Sequence, residues 1–454
     1  MDTLEARRPD TLGHDYVARA RKLRPLLATH ADEAERRREL TPEVVEALID
    51  NGIFRMLLPK SLRGAELDPL TYTAVLEELA QGDGSAAWCL GQNSGCSMIA
   101  PYLPADTAEG VFGGPRGILA WGPDLPGAGR GVVVEGGYRV TGLWGFATGS
   151  RHASWLGCHI PIHDKEGNRL QARDGRPLTR TMVFRKSEAE IIDNWHVLGL
   201  RATGSDSYRL EDHFVPQRFT AGRDNFDELR EKGPLYQFTS GMIYAMSFAH
   251  VSMGIAKGAY DSFIEIARDK VPRGSKGTLR QNNVIQSQVA QCEARLKSAR
   301  AYLRGVIGEM WDEARETGKI SPEHHPQLRL AATWAIHQAR DVVATVYHAA
   351  GASAIFEANP LERRMRDPCG DAARPGPAGA FRDGRPDADG SAARGPHVPL
   401  ERGQRLRAQS SVHRKSGPSS LRVGQPICPM TRSISPWKMS IAFRTPASPP
   451  AAAP

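Results

Sequence analysis

The residues best equipped for chemistry lie in GLWGFATGSRH, residues 142–152. Trp144 and Phe146 offer ring faces. Thr148, Gly149 and Ser150 offer hydroxyls and free backbone N–H groups. A flat, polar-edged ring such as a flavin needs both, apolar faces to lie against and polar groups at its heteroatoms. Taken alone, the stretch reads more simply as a half-buried β-hairpin closed by a polar turn.

The elements around this turn are legible. Val132–Val134, the Gly136-Gly137 pair and Tyr138–Phe146 read as strand, tight turn and strand. Further strands are expected at Ile118–Trp121, Trp155–Ile162, Thr181–Phe184, Glu190–Ile192 and Ser207–Phe214, with 164–180 an exposed polar loop. Before them the chain is helical. Residues 16–52 read as helix with Thr41-Pro42 as an internal start, and Asp68-Pro69 and Asp83-Gly84-Ser85 cap two more, with a short one at 104–112. After them, 237–269, 281–317 and 322–350 are long periodic helices, with Ala294, Ala299, Ala331, Ala332 and Ala339 placed for close packing. The expected architecture is therefore α+β and mostly α. A helical domain spans 15–115, a central β domain of barrel or sandwich type spans 116–230, and an antiparallel helix bundle spans 231–367, followed by a tail at 368–454.

Composition narrows the function classes. The chain has 454 residues, a formal net charge of +8 and six scattered cysteines without metal-ligand spacing. Residues 368–454 hold 13 Lys and Arg against 5 Asp and Glu, which leaves 46 of each sign in residues 1–367. The basicity belongs to the tail, so a nucleic-acid partner is not expected for the rest. No apolar run is long enough to span a membrane, and MDTLEARRPD lacks the apolar core of a secretory leader. A cytoplasmic location with reduced thiols and no metal is the expectation.

Four ordered motifs, GDGSAAW at 82–88, GGYRVTGLWGFATG at 136–149, WHVLGLRATGSDSYRLEDHFVP at 195–216 and AGASAIFEANPLERRMRD at 350–367, resemble the acyl-CoA dehydrogenase superfamily over roughly residues 15–367. The last resembles the branch of two-component flavin monooxygenases, the oxygenase components akin to p-hydroxyphenylacetate hydroxylase. The resemblance implies a flavin cofactor (FAD, or reduced FMN or FAD), a homotetramer, and a flavin reductase or electron-transfer partner. It places Thr148 near the flavin N5 with Gly149 continuing the turn. It puts Trp121, Trp144 and Phe146 along the ring, and Thr203, Gly204 and Ser205 on a neighbouring loop. It puts Arg273, Arg280 and Gln286 at the phosphate or ribityl chain, often of a neighbouring subunit. Arginine suits phosphate through bidentate, permanently charged bonding, although these arginines read equally as a solvated helix start.

Two departures shape the reading. Some aromatic hydroxylases of this branch place a histidine on the helix after GS-x-x-W, and the counted position here is Cys96, where a thiol cannot replace an imidazole beside a phenolate. His152, just after the turn, is a candidate pocket base, or a histidine hydrogen-bonded at a strand end. Trp88, Gln92, Asn93, Cys96 and Met98 form a candidate substrate pocket, or simply helix packing. The dehydrogenase branch uses a carboxylate base, and no matching Glu-Gly-Thr segment exists; Glu357 and Glu362 fall outside the pattern. The expected activity is thus an oxygenase using reduced flavin and O2 on a small organic substrate, with acyl-CoA α,β-dehydrogenation as the alternative.

After Asp367 periodicity stops, and 368–454 holds 14 of the chain's 32 prolines. Reading the back-translated PCGDAARPGPAGAFRDGRP one base later permits a histidine- and glutamine-bearing helix of the kind expected next in this branch. An out-of-frame, disordered tail, and with it an inactive remnant, is a further expectation.

Overall fold

In the computed structural model, residues 11–125, 129–172 and 175–370 are described. The tail to which the out-of-frame reading applies lies, from residue 371, outside them.

The first helical block follows its caps. α1 (Thr11–Arg37) and α2 (Pro42–Asp50) replace the single helix expected over 16–52. The chain reverses at Arg38, with φ 58°, and Thr41 Oγ1 accepts Val44 N–H to open α2. In α3 (Pro69–Ala80) and α4 (Gly84–Ser97) the Asp68 and Asp83 carboxylates accept the N–H groups of Thr71 and Ala86 at 2.9 and 2.7 Å. α5 (Ala105–Phe112) closes the block.

Among the described residues eight strands follow: β1 (Leu119–Trp121), β2 (Arg130–Val134), β3 (Gly137–Trp144), β4 (Trp155–His163), β5 (Thr179–Arg185), β6 (Glu190–Ile192), β7 (Ser207–Pro216) and β8 (Thr220–Ala221). Their order is β6-β7-β3-β2-β4-β5-β8, with β1 parallel to the start of β4. Along β3 the buried residues alternate, so Tyr138, Val140 and Trp144 point into the core while Arg139 is exposed. The 164–180 insertion carries two isolated bridges, His163 to Arg169 and Gln171 to Pro177, and runs into β5.

The bundle is α6 (Ser240–Asp269), α7 (Asn283–Thr317), α8 (His324–Ala350) and the short α9 (Pro360–Gly370). Ala299, Ala331, Ala332 and Ala339 are buried as expected; Ala294 is exposed in the single chain. Gly254 of α6 lies so close to α3 that a Cβ there would sit 2.4 Å from the Glu77 carbonyl oxygen. The Glu77 side chain of α3 ion-pairs with Arg300 of α7. The bundle thereby packs on the first helical block through one continuous apolar core.

α9 fastens the bundle to the other two parts. Arg366 binds both carboxylate oxygens of Glu35 in α1 at 2.9 Å and donates to the Leu198 carbonyl at 2.9 Å. Arg364 donates to the Gln81 carbonyl at 2.7 Å, and the buried Asp367 carboxylate accepts Leu200 N–H at 2.8 Å. Among the described residues no helix is long and apolar enough to cross a membrane, and no His, Cys, Asp and Glu group could hold a metal ion.

Candidate active site

β3 ends at Trp144, two residues before its expected end, because the backbone turns left-handed at Phe146, φ 58°. That turn drives the Phe146 ring outward to 62% exposure, where its edge meets Trp195 at 5.9 Å. The following turn is zipped to the loop before β7. Ala147 N–H donates to the Asp206 carbonyl at 3.0 Å, Gly149 N–H to the Thr203 carbonyl at 2.9 Å, and the Ser150 hydroxyl to the Gly204 carbonyl at 3.0 Å. Two segments far apart in the chain, Ser150 and Gly204 being 54 residues apart, therefore form one hydrogen-bonded polar ledge.

Its hydroxyls are connected. Thr148 Oγ1 lies 2.9 Å from Ser205 Oγ, Ser205 Oγ 2.7 Å from Thr203 Oγ1, and the Thr203 hydroxyl donates to the Leu200 carbonyl at 2.9 Å. All three side chains are buried. From below, Arg151 binds Asp206 at 2.7 Å, and Lys186 donates to the carbonyls of Ser150 and Arg151 at 3.0 and 2.7 Å.

α4 supplies the next layer. Asn93 Nδ2 donates to the carbonyls of Leu119 and Thr148 at 3.0 and 3.3 Å, which leaves Asn93 Oδ1 as the acceptor for His152 Nε2 at 3.1 Å. His152 therefore carries its proton on Nε2. Burial, reinforced by the Lys186 charge, pushes its pKa down to about 4, so the ring is neutral at pH 7 and braces the turn. Burial also pushes the Cys96 thiol up to about 12, and Sγ sits 3.7 Å from Tyr244 Oη. A thiol held protonated in this way gives no base or nucleophile at neutral pH.

Beyond Cys96 stands a group of rings from α4, β1 and α6. Trp121 Nε1 donates to Tyr244 Oη at 2.9 Å. Tyr244 stacks on Phe248 at 6.0 Å and Phe248 on Trp88 at 4.5 Å, with planes within 18°. Gly95 is required here, because a Cβ would lie 2.2 Å from the Tyr244 ring. Trp88, Gln92, Tyr244 and Phe248 are half-buried, as pocket walls must be. Tyr244 and Phe248 escaped the sequence reading; their i, i+4 spacing on α6 was the available signal.

The structure thus gathers Trp88, Gln92, Asn93, Cys96, Trp121, Thr148, Gly149, His152, Thr203, Gly204 and Ser205. It does not gather every expected residue. Trp144 has no exposed surface and stacks on Tyr208 at 5.4 Å inside the sheet, since its β3 parity points it into the core. Arg273, Arg280 and Gln286 are exposed around the α6–α7 connection, where Gln286 bonds the Arg280 carbonyl at 2.8 Å. Within one chain they do not join the ledge.

A flavin fits what is present. Phe146, 62% exposed, leaves apolar surface at the ledge for a ring face to cover, and Thr148 offers a polar edge beside it.

The family model "Acyl-CoA dehydrogenase, N-terminal domain" matches residues 19–104, and "Acyl-CoA dehydrogenase, C-terminal domain" matches 246–368. An indole-3-acetate monooxygenase of Pseudomonas putida is 28% identical over 339 residues, 74% of this chain and 83% of the relative. The flavin-dependent monooxygenase oxygenase subunit HsaA of Rhodococcus jostii is 26% identical over 76% of this chain and 90% of the relative. Among solved structures, HsaA of M. tuberculosis superposes with a TM-score of 0.71 at 25% identity, covering 80% of this chain and 93% of that one. XiaF from Streptomyces, in complex with FADH2 and glycerol, also gives 0.71, at 26% identity over 80% and 91%.

Proposed function

We infer that this chain, which belongs to the acyl-CoA dehydrogenase superfamily, is the oxygenase component of a two-component flavin-dependent monooxygenase acting on a small aromatic substrate. The observation that carries the reading is the ledge, where the 146–150 turn and the 203–206 loop are hydrogen-bonded into one unit beneath exposed Phe146. Reduced flavin, when bound, supplies the electrons that activate O2. Thr148 would hold the polar edge of the ring, with Gly149, Phe146 and the Thr203-Gly204-Ser205 loop around it. Trp88, Phe248, Tyr244 and Trp121 would take a flat substrate by stacking and keep water from the reacting atoms. Asn93 and His152 hold the ledge in register with α4.

The alternative, α,β-dehydrogenation of an acyl thioester, needs a carboxylate base facing the ligand. Glu362 is instead locked to Arg366 at 2.6 and 2.7 Å, and Glu357 is exposed. The test supplies reduced FMN or FAD from a separate reductase and follows O2 consumption and product with a panel of phenols and indoles. Hydroxylated product is expected; flavin bleaching on anaerobic mixing with acyl-CoA would instead identify a dehydrogenase.

Four further features belong to this proposal: a separate flavin reductase as partner, a homotetramer in which Arg273, Arg280 and Gln286 reach a neighbour's flavin, a cytoplasmic location, and a reading-frame break near codon 368. The composition change after Asp367 supports the last. Resequencing codons 365–372 tests it, and an intact frame there refutes it.

A further inference from the structure

The order of the buried hydroxyls fixes where their protons go. The chain runs Leu200 carbonyl, Thr203 Oγ1, Ser205 Oγ, Thr148 Oγ1, with gaps of 2.9, 2.7 and 2.9 Å. A carbonyl oxygen only accepts, so the Thr203 proton lies toward Leu200. Were it turned to Ser205, two lone pairs would face each other across 2.9 Å in a site without solvent. The 2.7 Å gap must then be filled by the Ser205 proton. The remaining gap must be filled by the proton of Thr148. Three gaps consume three protons, and Thr148 Oγ1 keeps only lone pairs for a ligand.

The anchoring end is itself immobile. Leu200 has φ 53°, its N–H is held by Asp367 at 2.8 Å, and its carbonyl also receives Trp195 Nε1 at 3.2 Å. Gly199 leaves no room for a Cβ, which would sit 2.0 Å from the Arg366 carbonyl oxygen. The α9 helix therefore sets the position of the acceptor that polarises the whole chain.

We propose that Thr203 and Ser205 are positioning residues that hold the Thr148 hydroxyl as an acceptor, so that the site selects flavin carrying a proton on N5, the reduced form, over oxidised flavin. This rests on the reading that Thr148 meets N5. Reduced flavin presents an N5–H donor, which an accepting oxygen satisfies. Oxidised flavin presents an N5 lone pair, which the same oxygen opposes.

The test measures affinity of the full chain for oxidised and for anaerobically reduced FMN and FAD, by ultrafiltration and by fluorescence quenching, and takes the ratio. The wild type is expected to favour reduced flavin by about tenfold through this contact. Ser205→Ala leaves the Thr148 proton without an acceptor, and Thr203→Val releases the Ser205 proton toward Thr148. Each frees Thr148 to donate, so each is expected to lower the ratio about tenfold, mainly by improving oxidised-flavin binding. Thr203→Ser, which restores the hydroxyl, is expected to keep the wild-type ratio. Thermal melts confirm folding, and if Thr203→Val does not fold, Ser205→Ala and Thr203→Ser decide. Thr148→Val separates the two ideas. If it weakens reduced-flavin binding while Ser205→Ala leaves the ratio unchanged, the proton order is refuted and the placement survives. If it changes neither affinity, the placement of Thr148 fails and the proposal with it.

Discussion

Asp367 offers a quantitative check on how α9 holds the ledge. Its carboxylate is buried, and desolvation, then the facing charges of Asp83 and Glu35, push its pKa from 3.8 up to about 7, with Leu200 N–H and Arg363 opposing. A carboxyl whose folded pKa is raised binds its proton more tightly folded than unfolded. Its favourable contribution is fullest below pH 3.8 and is lost as pH rises to about 7. Between pH 5 and pH 8 this one group should remove about 3 kcal/mol of stability. Asp367→Asn does not titrate, keeps an oxygen for Leu200 N–H, and can place its NH2 against Asp83 Oδ2, which has no hydrogen-bond partner. The stability of Asp367→Asn minus that of wild type, from guanidinium unfolding at matched pH, should therefore rise by about 3 kcal/mol from pH 5 to pH 8. Asp367→Ala strips the acceptor from a buried N–H and should lie about 1–3 kcal/mol below Asn at every pH. A difference between Asn and wild type that stays flat across this range would refute a proton bound at Asp367.

Other outcomes follow from single contacts. Gly254→Ala puts a methyl 2.4 Å from a backbone oxygen of α3 and should cost about 1–3 kcal/mol, whereas Gly110→Ala, with nothing within 4 Å, should be neutral or slightly stabilising; thermal melts compare the two. Gly95→Ala displaces the Tyr244 ring, so it should shift tryptophan emission from Trp121 and weaken aromatic ligand binding measured by titration. Cys96, buried and with its thiol pushed up to about 12, should resist iodoacetamide at pH 8 in the native chain and react only on unfolding, as mass spectrometry would show. Glu77→Gln and Arg300→Gln should each cost about 1–3 kcal/mol, less than a fully buried pair because Arg300 is partly exposed, and a double-mutant cycle should return much of that cost as coupling.

The fold was largely legible because its signals are local. Thr41-Pro42 and Asp68-Pro69 announce helix starts through side-chain acceptors and a missing N–H, and both caps form. The hairpin follows from alternation, but its turn is Glu135-Gly136 rather than the expected Gly136-Gly137: Gly136 takes the left-handed φ of 76° and Gly137 already pairs with Val134 as the first residue of β3. The site was legible in part. The hydroxyl turn and the TGS loop were each visible, yet the sequence could not show that they interlock, since a hydrogen bond between residues 57 apart leaves no local period. Trp144 differs for another reason. Its type suggested a ring wall, and only the parity of β3, with Tyr208 across from it, puts it in the core.

By itself the sequence determined which elements form, where the neutral body gives way to the basic tail, and which residue types stand at the turn. Tertiary structure decided their chemistry. Burial keeps the Cys96 thiol protonated and His152 neutral, Asn93 assigns the His152 tautomer, and α6 brings Tyr244 and Phe248 against Trp88 and Trp121. Desolvation and hydrogen-bond direction are properties of a packed environment. Neither exists until the elements pack, as where Asp367 of α9 holds Leu200 N–H beside the hydroxyl chain.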